Sequence, residues 1–299
     1  MVRLLFCLSV VLLACTNQSS EAQNLLPSAL NSFIVEVPNL PVLPGQSRYY
    51  GGTTTNPAWL VAQWGIVGQK LSPFVQLANG SLASYAGANS VKIKDSTLTI
   101  NQNGSFLPCS YPSGKPHEFD LFFAPNEQHF ASLYTLSSLA SLTQIVDIKV
   151  NGASLSRKTC RVNMGYSLIG IVLIDQIAHP AQTFFYQLEL SQVCHAVPNG
   201  QRCNISPTHA FYYFRTNPFG ADEYEPMLGH PFFLNNTSIH FSANLLPRLK
   251  AIIQNGPPGL DHAISHWIVA NAYYGQHIWG GVRLKTSWSN LKLIARLRP

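Results

Sequence analysis

The chain has 299 residues, a net charge of +6 and only 11% charged residues, well under the quarter usual in soluble domains. Its basic residues are dispersed apart from a mild excess near the C-terminus (Arg283, Lys285, Lys292, Arg296, Arg298), and no aromatic–basic recognition motif accompanies them, so nucleic acid is not an expected partner. Beyond the first residues there is no long apolar run, so no membrane span is expected either.

The chain opens with Arg3 and an apolar stretch from Leu4 to Ala14, too short to span a bilayer, which reads as a secretion signal. Cleavage after Ala22, in the small-residue context Ser20-Glu21-Ala22, makes residues 1–22 the signal and 23–299 the mature chain. The alternative is a lipoprotein box at Leu12 to Cys15, with Cys15 acylated. The remainder suits one large β domain, with no repeat or linker visible.

Along the mature chain, segments of five to nine residues alternate or run apolar between Gly, Pro, Asn and Ser, the pattern of a sandwich or barrel. The first strands are expected at 33–37, 59–64, 90–93, 97–102, 119–123, 145–150 and 158–162. Further strands follow at 166–174, 183–192, 210–214, 238–241, 265–274, 282–286 and 291–295. Residues 166–174 are apolar on both faces and predict a covered central strand, whereas 183–192 alternates and predicts a half-exposed one.

Two helices interrupt. Leu245, Leu246, Leu249, Ile252 and Ile253 recur at three- and four-residue steps, with Ser242 or Asn244 available as a cap, Pro247 in the first turn, and Asn255-Gly256 ending the helix. Leu133, Leu136, Leu139 and Leu142 predict a second helix over 131–142. The fold class is therefore all-β: a two-sheet sandwich of jelly-roll or concanavalin-like type with one or two short helices.

Once Cys7 and Cys15 leave with the signal, Cys109, Cys160, Cys194 and Cys203 remain. An even count in an exported chain predicts two disulfides. Pro198 and the turn-forming pair Asn199-Gly200 favour Cys194 with Cys203, leaving Cys109 with Cys160. Five sequons, at Asn79, Asn103, Asn204, Asn235 and Asn236, are glycosylation acceptors if the source is eukaryotic.

Chemistry-bearing motifs are sparse. Glycoside hydrolysis needs two facing carboxylates, and the acidic loop 220–231 supplies Asp222, Glu223 and Glu225, to be paired with Glu189 or Glu118 on a strand. Their bland reading is solvated loop and edge residues. His262 and His266 behind Asp261 stand four apart but lack the glutamate of a metalloprotease helix, so ordinary hydrogen bonds are expected there. No serine-hydrolase elbow or calcium loop is present; neither a metal nor a cofactor is expected.

The densest aromatic stretch is "HWIVANAYYGQHIWGGVRLKTSW". Trp267, Gly275, Ile278, Trp279, Gly280, Gly281, Leu284 and Thr286 fall on a pattern that resembles the closing strands of concanavalin-like jelly-roll proteins, most of all the family 12 endoglucanases. The resemblance spans about 25 residues and implies a polysaccharide-handling sandwich. It also puts His277 where that family carries its acid–base glutamate, which implies that catalysis of that type is lost.

Strand alternation puts Trp267, Val269, Asn271 and Tyr273 on one face and Ile268, Ala270, Ala272 and Tyr274 on the other, which looks like core. Rings beside an amide suit a sugar, whose C–H face stacks while its hydroxyls take hydrogen bonds. The expected ligand-binding set is Trp267, Asn271, Tyr273, Gln276, His277 and Trp279, extended by Trp64, Tyr49 and Tyr50. The expected function is lectin-like recognition of a polysaccharide or glycan by a secreted protein. The alternatives are a glycoside hydrolase or lyase using the acidic loop, and a structural or envelope protein without a small ligand. Oligomeric state is not legible.

Overall fold

The computed structural model describes residues 22–36, 49–65, 70–114, 117–130, 134–157, 160, 162–177, 182–194, 212–216, 237–256 and 258–299. The export segment with Cys15, Cys203 and the loop carrying Asp222, Glu223 and Glu225 lie outside the described residues, as does the side chain of Tyr50.

Among the described residues, sixteen strands and one α-helix follow in chain order. The first half contains β1 (Gln23–Asn24), β2 (Phe33–Glu36), β3 (Tyr49–Tyr50), β4 (Trp59–Trp64), β5 (Val75–Gln76), β6 (Leu82–Ala86), β7 (Asn89–Lys94), β8 (Thr97–Asn103) and β9 (Glu118–Pro125). The second contains β10 (Leu139–Arg157), β11 (Met164–Asp175), β12 (Thr183–Cys194), β13 (Tyr212–Thr216), β14 (Thr237–Asn244), α1 (Leu246–Gln254), β15 (Trp267–Trp279) and β16 (Gly281–Leu297).

They form a jelly-roll sandwich of two eight-stranded sheets. In the first the order is β14-β10-β16-β8-β7-β6-β5, with β1 beside β16; in the second it is β13-β12-β11-β15-β9-β4-β2-β3. Apart from the parallel pairs β12–β13 and β2–β4 the described ladders are antiparallel. The core lies between the sheets: Trp59, Phe123, Tyr274 and Trp288 are sealed there and meet ring to ring, Phe123 at 5.8 Å from Trp59 and 5.4 Å from Tyr274.

β-bulges recur, and each reverses which residues point inward beyond it. In β15 the pairing with β11 skips Ala270, since Val172 faces Asn271 but Leu173 faces Val269. Trp267 and Val269 before the bulge and Ala272 and Tyr274 after it all enter the core. In β16 one extra residue falls at Asn290, whose φ is +52°. Inward residues accordingly change from Val282, Leu284, Thr286 and Trp288 to Leu293 and Ala295. That bulge is why 282–286 and 291–295 read as two strands although they form one.

The helix expected over 131–142 is corrected. Residues 139–142 begin the long strand β10, and a register shift at Ala140 turns both Leu139 and Leu142 inward beside Leu136. A bulge thus imitates the three-residue step of a helix. Cys160 and Val162, the described residues of the strand expected at 158–162, are not in a strand, and β6 is not among the expected strands.

Helix α1 forms as anticipated. Pro247 occupies its first turn, and Leu246, Leu249, Ile252 and Ile253 are its buried face. The Asn244 carboxamide oxygen accepts from Leu246 N at 3.2 Å and from Leu142 N at 3.0 Å, so one side chain fastens the helix start to β10.

Cys109 and Cys160 are disulfide-bonded across a sequence separation of 51. The bridge ties the β8–β9 connection to the β10–β11 connection. Closing a loop of that length removes about 4 kcal/mol of chain entropy from the unfolded state. The double variant Cys109→Ala/Cys160→Ala is expected to unfold about 2–4 kcal/mol more easily, read as a lower urea midpoint with a higher m-value, because the freed unfolded chain exposes more surface.

Candidate functional site

The outward face of the second sheet collects the titratable groups. In β9 the residues Phe119, Leu121 and Phe123 turn inward to the core, which leaves Glu118, Asp120 and Phe122 pointing outward. Beyond its bulge, β15 presents Asn271, Tyr273, His277 and Trp279 on the same side. Register sets them in rows: Trp279 faces Glu118 and His277 faces Asp120. On the other flank Met164 of β11 lies beside Trp279, Tyr166 beside His277, and Gly170 beside Tyr273. Trp64 of β4 faces Asp120 from the other neighbouring strand.

His277 is the centre of this arrangement. Its Nδ1 contacts Asp120 Oδ1 directly and lies 3.3 Å from Glu118 Oε1. Its ring is stacked on Trp279 (centroids 5.2 Å, interplanar 9°), meets Phe122 edge-on at 4.9 Å and lies 5.0 Å from Tyr166. The His277 side chain is 6% exposed, that of Asp120 10% and that of Glu118 39%. Nε2 of His277 is buried with no hydrogen-bond partner among the described residues.

Burial alone would lower the imidazole pKa, but the Asp120 carboxylate and then Glu118 outweigh it and push His277 up to about 9. Burial raises Asp120 to about 7 against the opposing pull of His277, and Glu118 adds to the rise. The pair therefore holds a cation against the π-face of Trp279, an arrangement that itself favours the imidazolium. A carboxyl that keeps its proton near neutrality stands beside a more exposed carboxylate.

Two glycines make room for the rings. A Cβ on Gly170 would meet the Tyr273 ring at 2.0 Å, so the tyrosine lies flat on β11, and its hydroxyl accepts from Gln187 Nε2 at 2.8 Å. Gly275, with φ +153°, would carry a Cβ 2.2 Å from Leu121 O.

Several expected site residues are placed differently. Trp267 is in the core, its Nε1 donating to Asp261 O at 2.8 Å; alternation counted through the Ala270 bulge assigns it to the wrong face. Gln276 also faces inward, where its Nε2 donates to Gln102 Oε1 at 3.0 Å and Leu284 O at 3.1 Å, and its Oε1 accepts from Thr286 Oγ1. Trp279 is on the outward side but only 1% exposed, so it supports His277 rather than offering its own face. Asn271, Tyr273 and Trp64 are half-buried there. Tyr49 is 49% exposed. Glu189 is buried on β12. Asp120 is among the carboxylates the sequence offers, but its partnership with His277 is not legible there; the outward alternation of "EFDLFF" beside an aromatic strand was the available signal.

Among the described residues two sets of donor atoms lie within 4.8 Å of one another and are of metal-ligating type: Glu118, Asp120 and His277, and Asp175, Asp261 and His266. In the second, His266 Nδ1 is bound to Asp261 Oδ2 at 2.6 Å, and Asp175 Oδ1 accepts from Ile177 N. His262 Nδ1 meets Ile253 O at 2.7 Å.

No family model and no curated protein matches the sequence. Solved structures similar to the chain include the endoglucanase Cel12A from Rhodothermus marinus, at 9% identity over 77% of this chain and 100% of that one, TM-score 0.41. A metagenome-derived family 12 endoglucanase is similar at 9% identity over 77% and 98%, TM-score 0.44. The family 11 xylanase from Neocallimastix patriciarum is similar at 8% identity over 79% and 99%, TM-score 0.41. Family 12, which the C-terminal strands resemble, is thus among them; likenesses at this level assign no residue of the site.

The buried pair makes stability fall as pH rises. Both groups bind a proton more tightly folded than unfolded: His277 contributes stability that is complete below about 6.5 and lost as pH passes about 9. For Asp120 the corresponding window runs from about 3.8 to about 7. Urea midpoints measured from pH 4 to pH 9 should therefore decline steadily. His277→Gln should flatten the alkaline part and cost about 3–5 kcal/mol at pH 8, where Asp120 is ionised and His277 still protonated, as breaking buried ion pairs does.

Proposed function

We propose that this chain is an exported carbohydrate-binding β-sandwich whose ligand, a polysaccharide or glycan chain, lies on the outward face of the second sheet. The observation that carries this reading is the pairing of two half-buried rings, Trp64 and Tyr273, with polar groups on one sheet face around Phe122 and His277. Rings supply stacking surface, and Glu118, the more exposed carboxylate, supplies hydrogen bonds to hydroxyls. Export is supported by the signal-like N-terminus and by the Cys109–Cys160 disulfide, which persists in oxidising compartments.

A second reading, glycoside hydrolysis, is favoured by one observation. Asp120 holds a proton up to about pH 7 beside Glu118, the combination of acid and base such chemistry uses. Binding is preferred because Asp120 is nine-tenths buried and engaged by His277, so only Glu118 of the two has substantial access to a sugar bond. The acidic loop with Asp222, Glu223 and Glu225 remains the source of a second carboxylate in this reading, opposite Glu118 or Glu189.

Pull-down on insoluble polysaccharides separates the readings. Binding without release of reducing sugar, weakened about tenfold (about 1.4 kcal/mol) by Tyr273→Ala or Trp64→Ala, supports recognition. Sugar release abolished by Asp120→Asn or Glu118→Gln would make the protein a hydrolase. Neither binding nor release would leave a structural protein.

A further inference from the structure

The basic residues that are scattered along the sequence converge in the fold on one surface: the outward face of the first sheet. Val91, Ile93, Leu98, Ile100, Val282, Leu284, Ile148 and Val150 turn into the core, so Lys92, Lys94, Lys149, Arg283 and Lys285 project to the other side, and all five are exposed. Past the Asn290 bulge the phase of β16 reverses, which brings Lys292 and Arg296 onto this same face rather than into the core. Among the described residues none of these seven cations has a carboxylate partner. The carboxylates nearby are Asp95, at the tip of the β7–β8 turn, and Asp147, already held by His240 Nδ1 at 2.5 Å.

Between the cations the face is hydroxyl and amide. One row across four strands runs Lys92, Thr99, Ser287, Lys149. Thr99 and Ser287 share a hydrogen bond of 2.8 Å, and Asn151 Nδ2 donates to Ser287 at 2.7 Å. The adjoining rows run Ser90, Asn101, Lys285 and Asn103, Arg283, Ser154. Three strand spacings separate Lys92 from Lys149, about 14 Å. Cations at that interval, with short polar side chains between them, match an extended chain that carries anionic groups at intervals and hydroxyls elsewhere.

We infer that this face binds a linear polyanionic polysaccharide, a glycan bearing carboxylate or sulfate groups, independently of the aromatic face of the second sheet. The composition of the face argues against the other polyanions. Tyr85, on which Lys92 rests at 5.5 Å, and Phe106, exposed just beyond Asn103, are single rings on separate elements and no continuous platform for stacked bases. The rows hold no exposed large apolar side chain that would enter a lipid headgroup layer.

The test is retention on immobilised heparin at about 0.15 M salt, where charges more than about 8 Å apart are largely screened. The wild-type chain should be retained and should be displaced by dextran sulfate but not by neutral dextran. Lys149→Gln/Arg283→Gln/Lys285→Gln should bind at least tenfold more weakly with an unchanged melting temperature, because these side chains support no buried contact. Lys285→Arg and Tyr273→Ala should both be retained like the wild type. The inference is overturned by flow-through of the wild type, by full retention of the triple variant, by loss of retention in Tyr273→Ala, or by stronger displacement with polydeoxythymidylate or phosphatidylglycerol vesicles than with dextran sulfate.

Discussion

Which way a strand's side chains point is decided here by single inserted residues. A strand keeps one face buried only while its two-residue period is unbroken, and one extra residue exchanges the faces for everything that follows. In β15 the insertion at Ala270 lets Trp267 and Val269 close one end of the core while Tyr273, His277 and Trp279 emerge on the outside at the other. Without it, either the tryptophan or the histidine would be on the wrong side. The outward site and the inner core are thus two consequences of the same irregularity.

The two sheets are also joined by hydrogen bonds through the core, a demanding arrangement in which every buried polar group must be matched. Gln102 of β8 donates to Phe119 O in the opposite sheet at 3.1 Å, and Gln276 of β15 donates back to Gln102 Oε1. Thr286 donates to Gln276 Oε1 and accepts from Trp288 Nε1 at 2.9 Å. Tyr274 OH reaches Gln144 Oε1 at 3.1 Å, whose amide in turn holds Lys292 O. Such a chain fixes how β9 and β15 sit over β8 and β16. Asp120 and His277 stand on those same two strands, facing the other way, so the register that puts them opposite each other is locked from within.

The amount legible in the sequence follows from this physics. Strands with an intact period, such as β4, β8 and β11, were recognisable nearly to their ends, and α1 carried its own start and stop chemistry in Asn244, Pro247 and Asn255. Bulges were not recognisable, because they leave no dedicated residue type behind. They account for Leu139 and Leu142 passing as a helix, for β16 passing as two strands, and for Trp267 passing as a ligand contact. The inward side of Gln276 was not legible for a different reason: an amide next to aromatics has the composition of a sugar subsite and of an inter-sheet bond alike. Tyr273 and Asn271 kept their predicted side because both follow the bulge.

The same device explains how a chain with so few charges acquires a charged face. Arg283 and Lys285 occupy odd positions of β16, Lys292 and Arg296 even ones, and a regular strand would have sent the second pair into the hydrophobic interior, where an unpaired charge costs several kcal/mol. Asn290 at φ +52° absorbs the extra residue, in a region that asparagine tolerates better than most side chains. Its neighbours Trp288 and Leu293 then both stay inside while the four cations line up outside. Core packing alone selects the position of the bulge, since either phase error would bury a cation or expose an indole. The gathering of basic residues on the first sheet and of aromatic and acidic residues on the second is therefore imposed by what each bulge keeps in the core, and one thin sandwich is left with two outer faces of different chemistry.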